Sequence, residues 1–238
     1  VPVDLTAAPG RLDGAPVTLV WVRDATLRQE LLDRERLALA VKGERADGTL
    51  EFYGLTDRGP NGDGPKVPAV APATGTSDAK FFPSPSFAPS IGLITVGKDG
   101  AVLQSSMPIR FSSAVKASGL SLAPGKVGSS GEVPLGDVAK YDATKADYSD
   151  YGLDTEAVVV DAARGALWVS DEYGPHLVHF NATGRTIERI NPFGTGTGGR
   201  RLPQVLALRR PNRGMEGLAI TPDDRTLVGA MQSPLDNP

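Results

Sequence analysis

Two acidic groups frame the stretch DTEAVVVDAARGALWVSDEYGP at positions 154–175, with Asp154 and Glu156 at its head and Asp171 and Glu172 near its tail. Between them lie an apolar run, the turn-forming AARG and a second apolar run, which is the pattern of a β-hairpin. With residues 162–165 as the turn, Asp161 faces Ala166 and Glu156 faces Asp171. Cross-strand partners hold their Cβ atoms about 5 Å apart, so two carboxylates there repel unless one keeps a proton or a cation lies between them. Carboxylate oxygens are hard ligands and suit Ca2+. The expected set is Glu156, Asp154 and Asp171 with Glu216, which opens EGLAITPDDRTLVGAM as Glu156 opens EAVVVDAARGALWVSD. The ordinary alternative is a set of solvated acidic turns.

Other chemistry-bearing residues lie nearby in sequence. RRPNRGMEG places Arg209, Arg210 and Arg213 just ahead of Glu216, and a guanidinium fork suits phosphate or carboxylate. The commoner fate of Arg213 is an ion pair with a neighbouring acid. GLTDRGPNGDGPK gathers Asp57, Arg58, Asn61, Asp63 and Lys66; as a calcium loop it lacks the closing Glu, and turn chemistry alone selects the same residues. His176 and His179 are three apart, on opposite faces of a strand, so joint metal ligation is not expected. Gly194, Gly196 and Gly199 fit GxGxxG without a strand-to-helix transition around them and read as a loop, and GLITVGKD reads as a hairpin rather than a phosphate loop. Neither GxSxG nor HExxH occurs, so a nucleophile-elbow hydrolase and a zincin gain no support.

Short β-type runs must position these groups. They fall at residues 17–22, 37–41, 50–56, 91–96, 157–161, 166–170, 177–180 and 186–190, bounded by Gly, Pro, Asp and Asn. Residues 26–39 have helix-like composition, but no long helix is assigned. The runs from 157 to 190 compose one four-stranded antiparallel sheet, and the repeat headed by Glu156 and Glu216 suggests further copies. The predicted fold class is therefore all-β, a β-propeller of four-stranded antiparallel blades spanning residues 1–238 as a single domain, with a β-sandwich as the alternative. In a propeller the start of each first strand lies by the central channel, where Glu156 and Glu216 would converge. RTLVGAMQSPLDNP reads as the second strand of a new blade whose outer half a further segment or a second chain would supply. An open sheet capped by the Pro-rich residues 59–90 is the other solution.

Bulk composition sets the limits. The chain has 238 residues, 40% of them hydrophobic, with 28 glycines, 20 prolines and a net charge of −3. That is enough apolar material for a core and favours turn-rich β structure. A global basic field is absent, so nucleic-acid binding is not expected. With no cysteine, disulfides and thiolate chemistry are excluded. No run of membrane-spanning length occurs, and Val1 in place of Met is expected of a processed or trimmed chain.

Taken together, GLTDRGPNGDGP, FFPSPSFAPSIGLITV, GLDTEAVVVD, LWVSDEYGPHLVHF and NRGMEGLAITPD with MQSPLD resemble the bacterial phytase-like family, described as having esterase-like activity of phytase. The resemblance runs from about residue 48 to the end. It implies a β-propeller, usually exported to the periplasm, cell surface or medium, in which acidic residues serve a phosphoesterase-like or esterase-like reaction. The family's motifs fall on Asp57 and Arg58, on Asp154 and Glu156, on Asp171, Glu172 and Tyr173, and on Arg213 and Glu216. Ala157 departs from the Gly that the family often has after the Glu, and family members continue beyond Pro238.

The expected function is metal-assisted hydrolysis of a small phosphoester or related ester. Ca2+ would sit on Glu156, Glu216 and Asp171, with Asp154 and Asp57 as further ligands. Arg58 and Arg213 would offset substrate charge, and Glu172 would act as base. The rivals are a non-catalytic binding or scaffold propeller of a cell-envelope assembly, and a lactonase-like propeller using channel-facing Glu with a divalent cation.

Overall fold

Alternating apolar residues and turn-forming punctuation fold the chain into β-sheets. The computed structural model describes residues 5–12, 15–22, 37–136, 146–174 and 176–236, with side chains from residue 39 onward. Strands β1 (Leu5–Leu12) and β2 (Ala15–Val22) form a separate antiparallel hairpin. Strands β3 (Leu37–Glu44), β4 (Leu50–Thr56), β7 (Ser90–Gly97) and β8 (Gly100–Pro108) form a four-stranded antiparallel sheet in the order β3-β4-β7-β8. A second such sheet follows chain order, β10 (Thr155–Asp161), β11 (Ala166–Asp171), β12 (His176–Asn181) and β13 (Thr186–Ile190). Strands β14 (Met215–Ile220) and β15 (Leu227–Met231) pair as a hairpin. The all-β class and two sheets of four antiparallel strands match expectation; no described sheet closes on itself.

Residues 59–90, the Pro-rich stretch that in the alternative solution caps an open sheet, carry strands that the sequence reading does not assign. These are β5 (Gly62–Pro68) and β6 (Thr76–Phe81), an antiparallel hairpin joined in parallel by β9 (Val133–Leu135). The register slips between Asp63 and Lys66, which takes Gly64 and Pro65 out of the ladder. That bulge lets Pro65, which has no N–H to donate, stand within a strand. The expectation for residues 26–36 lies outside the described residues, whereas 37–41 belong to β3.

The β10–β13 sheet is buried on both faces, and strand alternation decides which side chain goes where. Val158, Leu167, Val169, Val178 and Phe180 point to one face and pack with Leu55 and Ile91 of the first sheet and with Ile109, Ala117 and Leu153. Val159, Trp168, Leu177 and Ile190 point to the other and pack with Met215 and, at the margin, Leu218, Ile220 and Leu227 of the last hairpin. Two-sided burial is why every residue of ALWVSD in β11 is buried although only half of a solvent-facing strand would be. Strand β10 lies between β3 and β4 on one side and β14 on the other, so the heads of successive sheets are brought together.

Phe180 is fully buried while Ile187, in the next strand, is half-exposed. Phe180→Ala is expected to lower unfolding free energy by about 3–5 kcal/mol in chemical denaturation. Ile187→Ala is expected to stay within about 0.5 kcal/mol of wild type.

Candidate functional site

Strand β10 starts with Thr155, whose Oγ1 donates to the Thr56 carbonyl at 2.6 Å and ties the head of β10 to the end of β4. Asp57 and Arg58 follow β4 directly, so this bond sets them beside Asp154. The Glu172 N–H donates to the Asp154 carbonyl at 2.7 Å, bringing the β11–β12 turn to the same end. Gly214 packs against the Glu172 carbonyl so closely that a Cβ there would lie 2.1 Å from the oxygen, which brings in the head of β14.

Glu156 and Glu216 occupy the same structural position. The β10–β11 register slips between Thr155 and Ala157, and the β14–β15 register slips between Met215 and Gly217. Each Glu is therefore the extra residue of a β-bulge at the head of its hairpin, which re-aims the side chain away from the ladder. The result is two carboxylate triads that share Glu156: Asp57, Asp154 and Glu156, and Glu156, Glu172 and Glu216, with one oxygen from each residue within 4.8 Å of the others.

The same bulge corrects the sequence reading of Asp171. Its partner across the hairpin is Thr155, not Glu156, because the extra residue shifts the register by one. Asp171 is fully buried and belongs to neither triad. Its Oδ1 accepts from the Asp154 N–H at 2.8 Å, and its Oδ2 accepts from the Gly174 N–H at 3.0 Å and from His176 Nδ1 at 2.6 Å. Those bonds hold both Asp171 oxygens in the framework of the site, and it is Glu172, not Asp171, that lies within 4.8 Å of Glu156 and Glu216.

Arg58 lies inside the protein rather than at an open pocket wall. Its Nη1 is 2.9 Å from Glu132 Oε2, 3.2 Å from Asp154 Oδ2 and 3.3 Å from the Tyr173 hydroxyl, with the rings of Phe82 and Tyr173 flanking the guanidinium. Tyr173 Oη donates onward to the Gly119 carbonyl at 2.8 Å. Burial opposes the Arg58 charge, but Asp154, then Tyr173 and Glu132, more than restore it, so the side chain stays a cation. Arg213, by contrast, is exposed and makes no ion pair with a described residue, so the expected pairing with an acid is not made. Asp63 is also out of the site, paired to Lys80 at 2.5 Å on the surface. His176 and His179 point to opposite faces: His176 to Asp171, His179 to Trp168, on which it stacks at 4.1 Å, and to Glu188.

Crowding leaves a mark on the acids. Burial, and the negative charge of Glu216, push the Glu172 carboxyl up to about 7. Burial raises Asp154 well above the ordinary range, Arg58 opposing and Asp57 adding to the rise. Carboxylate oxygens are the only ligand atoms in both triads, which fits a hard divalent cation rather than a soft one.

A family model described as "Phytase-like: Esterase-like activity of phytase" matches residues 43–238. The chain belongs to the phytase-like family. An uncharacterized secreted protein of the fungus Arthroderma benhamiae is 33% identical over 105 residues, covering 36% of this chain and 20% of the relative. The phytase-like chain thus spans about a fifth of the length of that curated relative, and the likeness is not confined to bacteria. No solved structure matches. No described helix is long and apolar enough to cross a membrane. Glu132, the second acid on Arg58, was not legible beforehand, since it sits 74 residues away in a loop without a motif.

Two outcomes follow from this geometry. A carboxyl with a folded pKa near 7 against an ordinary 4.5 binds its proton more tightly when folded. Its stabilising effect is full below the ordinary value and is lost as pH rises through about 7. In chelator-treated protein the melting temperature is therefore expected to fall across that window, and Glu172→Gln to flatten the fall, as read by scanning calorimetry. Separately, Arg58→Met is expected to cost about 3–5 kcal/mol in chemical denaturation by leaving buried acids without their cation. Arg213→Ala is expected to change stability by less than about 0.5 kcal/mol.

Proposed function

We propose that the phytase-like chain is part of an exported β-propeller hydrolase in which a divalent cation, calcium by its donor set, assists hydrolysis of a phosphoester or related ester. The observation that carries this reading is the meeting of Glu156 and Glu216, equivalent bulge residues of two hairpins, with Glu172 inside one 4.8 Å triad. Three carboxylates so placed are costly without a positive charge among them. The stacking of sheets by their first strands supports a propeller, with β3, β10 and β14 innermost, and the secreted fungal relative supports export.

Glu156 and Glu216 would hold the cation, with Asp57 and Asp154 extending the oxygen shell. When bound, the ion polarises the ester oxygen and eases deprotonation of the attacking water. Glu172 takes the proton from that water and returns it to the leaving alcohol oxygen. Arg213, exposed one residue before the Gly214 contact with Glu172, would meet the negative charge of the substrate. Arg58 serves the site from behind, holding Asp154 in place.

The test is turnover of a panel of phosphomonoesters, phosphodiesters and acyl esters by the full chain with calcium and with chelator. Calcium-dependent turnover of at least one class is expected, reduced by about 10²–10⁴-fold in Glu172→Gln. A chain that turns over none of them would remove the hydrolase reading.

A further inference from the structure

Asp171 is an expected ligand that the fold leaves out of both carboxylate triads. We propose that Asp171 and His176 form a positioning clasp for the cation site, an inference that rests on the cation reading above. One Asp171 carboxylate joins two chain segments that bring ligands. Oδ1 holds the Asp154 N–H at 2.8 Å, at the head of β10. Oδ2 holds the Gly174 N–H at 3.0 Å and His176 Nδ1 at 2.6 Å, at the far side of the turn that carries Glu172. The Glu172 N–H closes the loop by donating to the Asp154 carbonyl at 2.7 Å. Asp154 and Glu172 are thus fixed to each other by backbone bonds that converge on one side chain, and each belongs to a different triad.

His176 completes the clasp as a neutral donor. It is buried, and burial, aided by Arg189, lowers its pKa to about 4. A neutral ring facing a carboxylate oxygen presents its Nδ1–H, which fixes the tautomer. The Arg189 guanidinium sits 3.4 Å from the same nitrogen and adds positive charge beside the buried carboxylate. Gly128 lies against the ring edge, where a Cβ would come within 3.0 Å of His176 Cε1, so glycine there leaves room for the imidazole. Outer partners of this kind orient metal ligands without touching the metal, and their loss typically costs about 10–100-fold in affinity.

An amide at position 171 can keep one acceptor oxygen but must turn an NH2 toward donors, so Asp171→Asn breaks the convergence without changing size. His176→Leu removes the ring donor, whereas His176→Asn returns an N–H close to the Nδ1 position. Calcium binding by isothermal titration calorimetry, at a temperature where every variant is folded by circular dichroism, is the readout. Asp171→Asn and His176→Leu are expected to weaken calcium binding by about 10–100-fold, and His176→Asn to recover most of the loss. Phe180→Ala, a core change outside the clasp, controls for lost stability and is expected to leave affinity within about twofold. If Asp171→Asn does not fold, the His176 pair carries the test. Wild-type affinity in His176→Leu, or a loss that Phe180→Ala reproduces, would overturn the clasp while leaving the cation reading intact. A wild-type chain that binds no calcium would overturn both.

Discussion

Mutual repulsion of carboxylates is the constraint around which this molecule is arranged. Asp57, Asp154, Glu156, Glu172 and Glu216 come from four separate chain segments and crowd within two overlapping triads. Nothing in the backbone ladders requires them to meet there. The fold holds them by interactions that do not neutralise them: the Thr155–Thr56 bond, the Glu172–Asp154 backbone bond, the Asp171 convergence and the Gly214 contact. Arg58 supplies opposite charge from within and divides it between Asp154 and Glu132, and the partly buried Arg209 adds positive charge toward Asp171 and Glu172. Stability used to collect like charges in one place is characteristic of sites rather than of scaffolds.

The layered packing explains how such a gathering is tolerated. The β10–β13 sheet presents apolar side chains to both neighbours, so its interior is determined twice over, by Phe180 and Val178 on one face and by Trp168 and Leu177 on the other. Burial of that extent offsets the cost of gathering acids at the sheet's head. The bulges at Glu156 and Glu216 fall one pair from the end of each ladder, so turning each Glu out of register shifts a single pair, Thr155–Asp171 or Met215–Met231. Equivalent bulges in adjacent hairpins also mean that the two residues converge by repetition of one local geometry, which is the physical content of the repeat visible between EAVVVD and EGLAIT.

How much of this was legible depends on the kind of signal. Strands β4, β10, β11, β12 and β13 could be read because β-branched and aromatic residues alternate between turn residues, and their observed bounds lie within a residue or two of those expected. Strands β5 and β6 could not, because GDGPKVP has the composition of a turn and becomes a strand only by expelling Gly64 and Pro65 into a bulge. Strand β8 escaped the pattern because its exposed stretch VLQSS lacks the apolar period. At the site, the acids that meet were named in advance, but Asp171 was misplaced by a single unpaired residue. Period-two arithmetic assumes a regular ladder, and one bulge inverts which of two neighbouring acids faces inward. Glu132 and the Tyr173 hydroxyl were out of reach, since their roles arise only when loops distant in sequence close around Arg58.

Under the proposed hydrolase reading, the charge balance bears on which esters the site would accept. Arg58 is buried and already committed to Asp154 and Glu132, so among the described residues its charge is not turned toward an arriving anion. At an effective dielectric constant near 20, two like charges about 4 Å apart repel by about 4 kcal/mol, so even a few such encounters would exclude a phosphoester from the bare cluster. A neutral acyl ester faces no comparable barrier. In that reading, a divalent ion held by Glu156 and Glu216 would reverse the sign of the field that the substrate meets. Dependence on the ion should therefore be steep for anionic esters and shallow for neutral ones, and the difference between the two slopes, rather than either rate alone, reports whether the cluster evolved to handle phosphate.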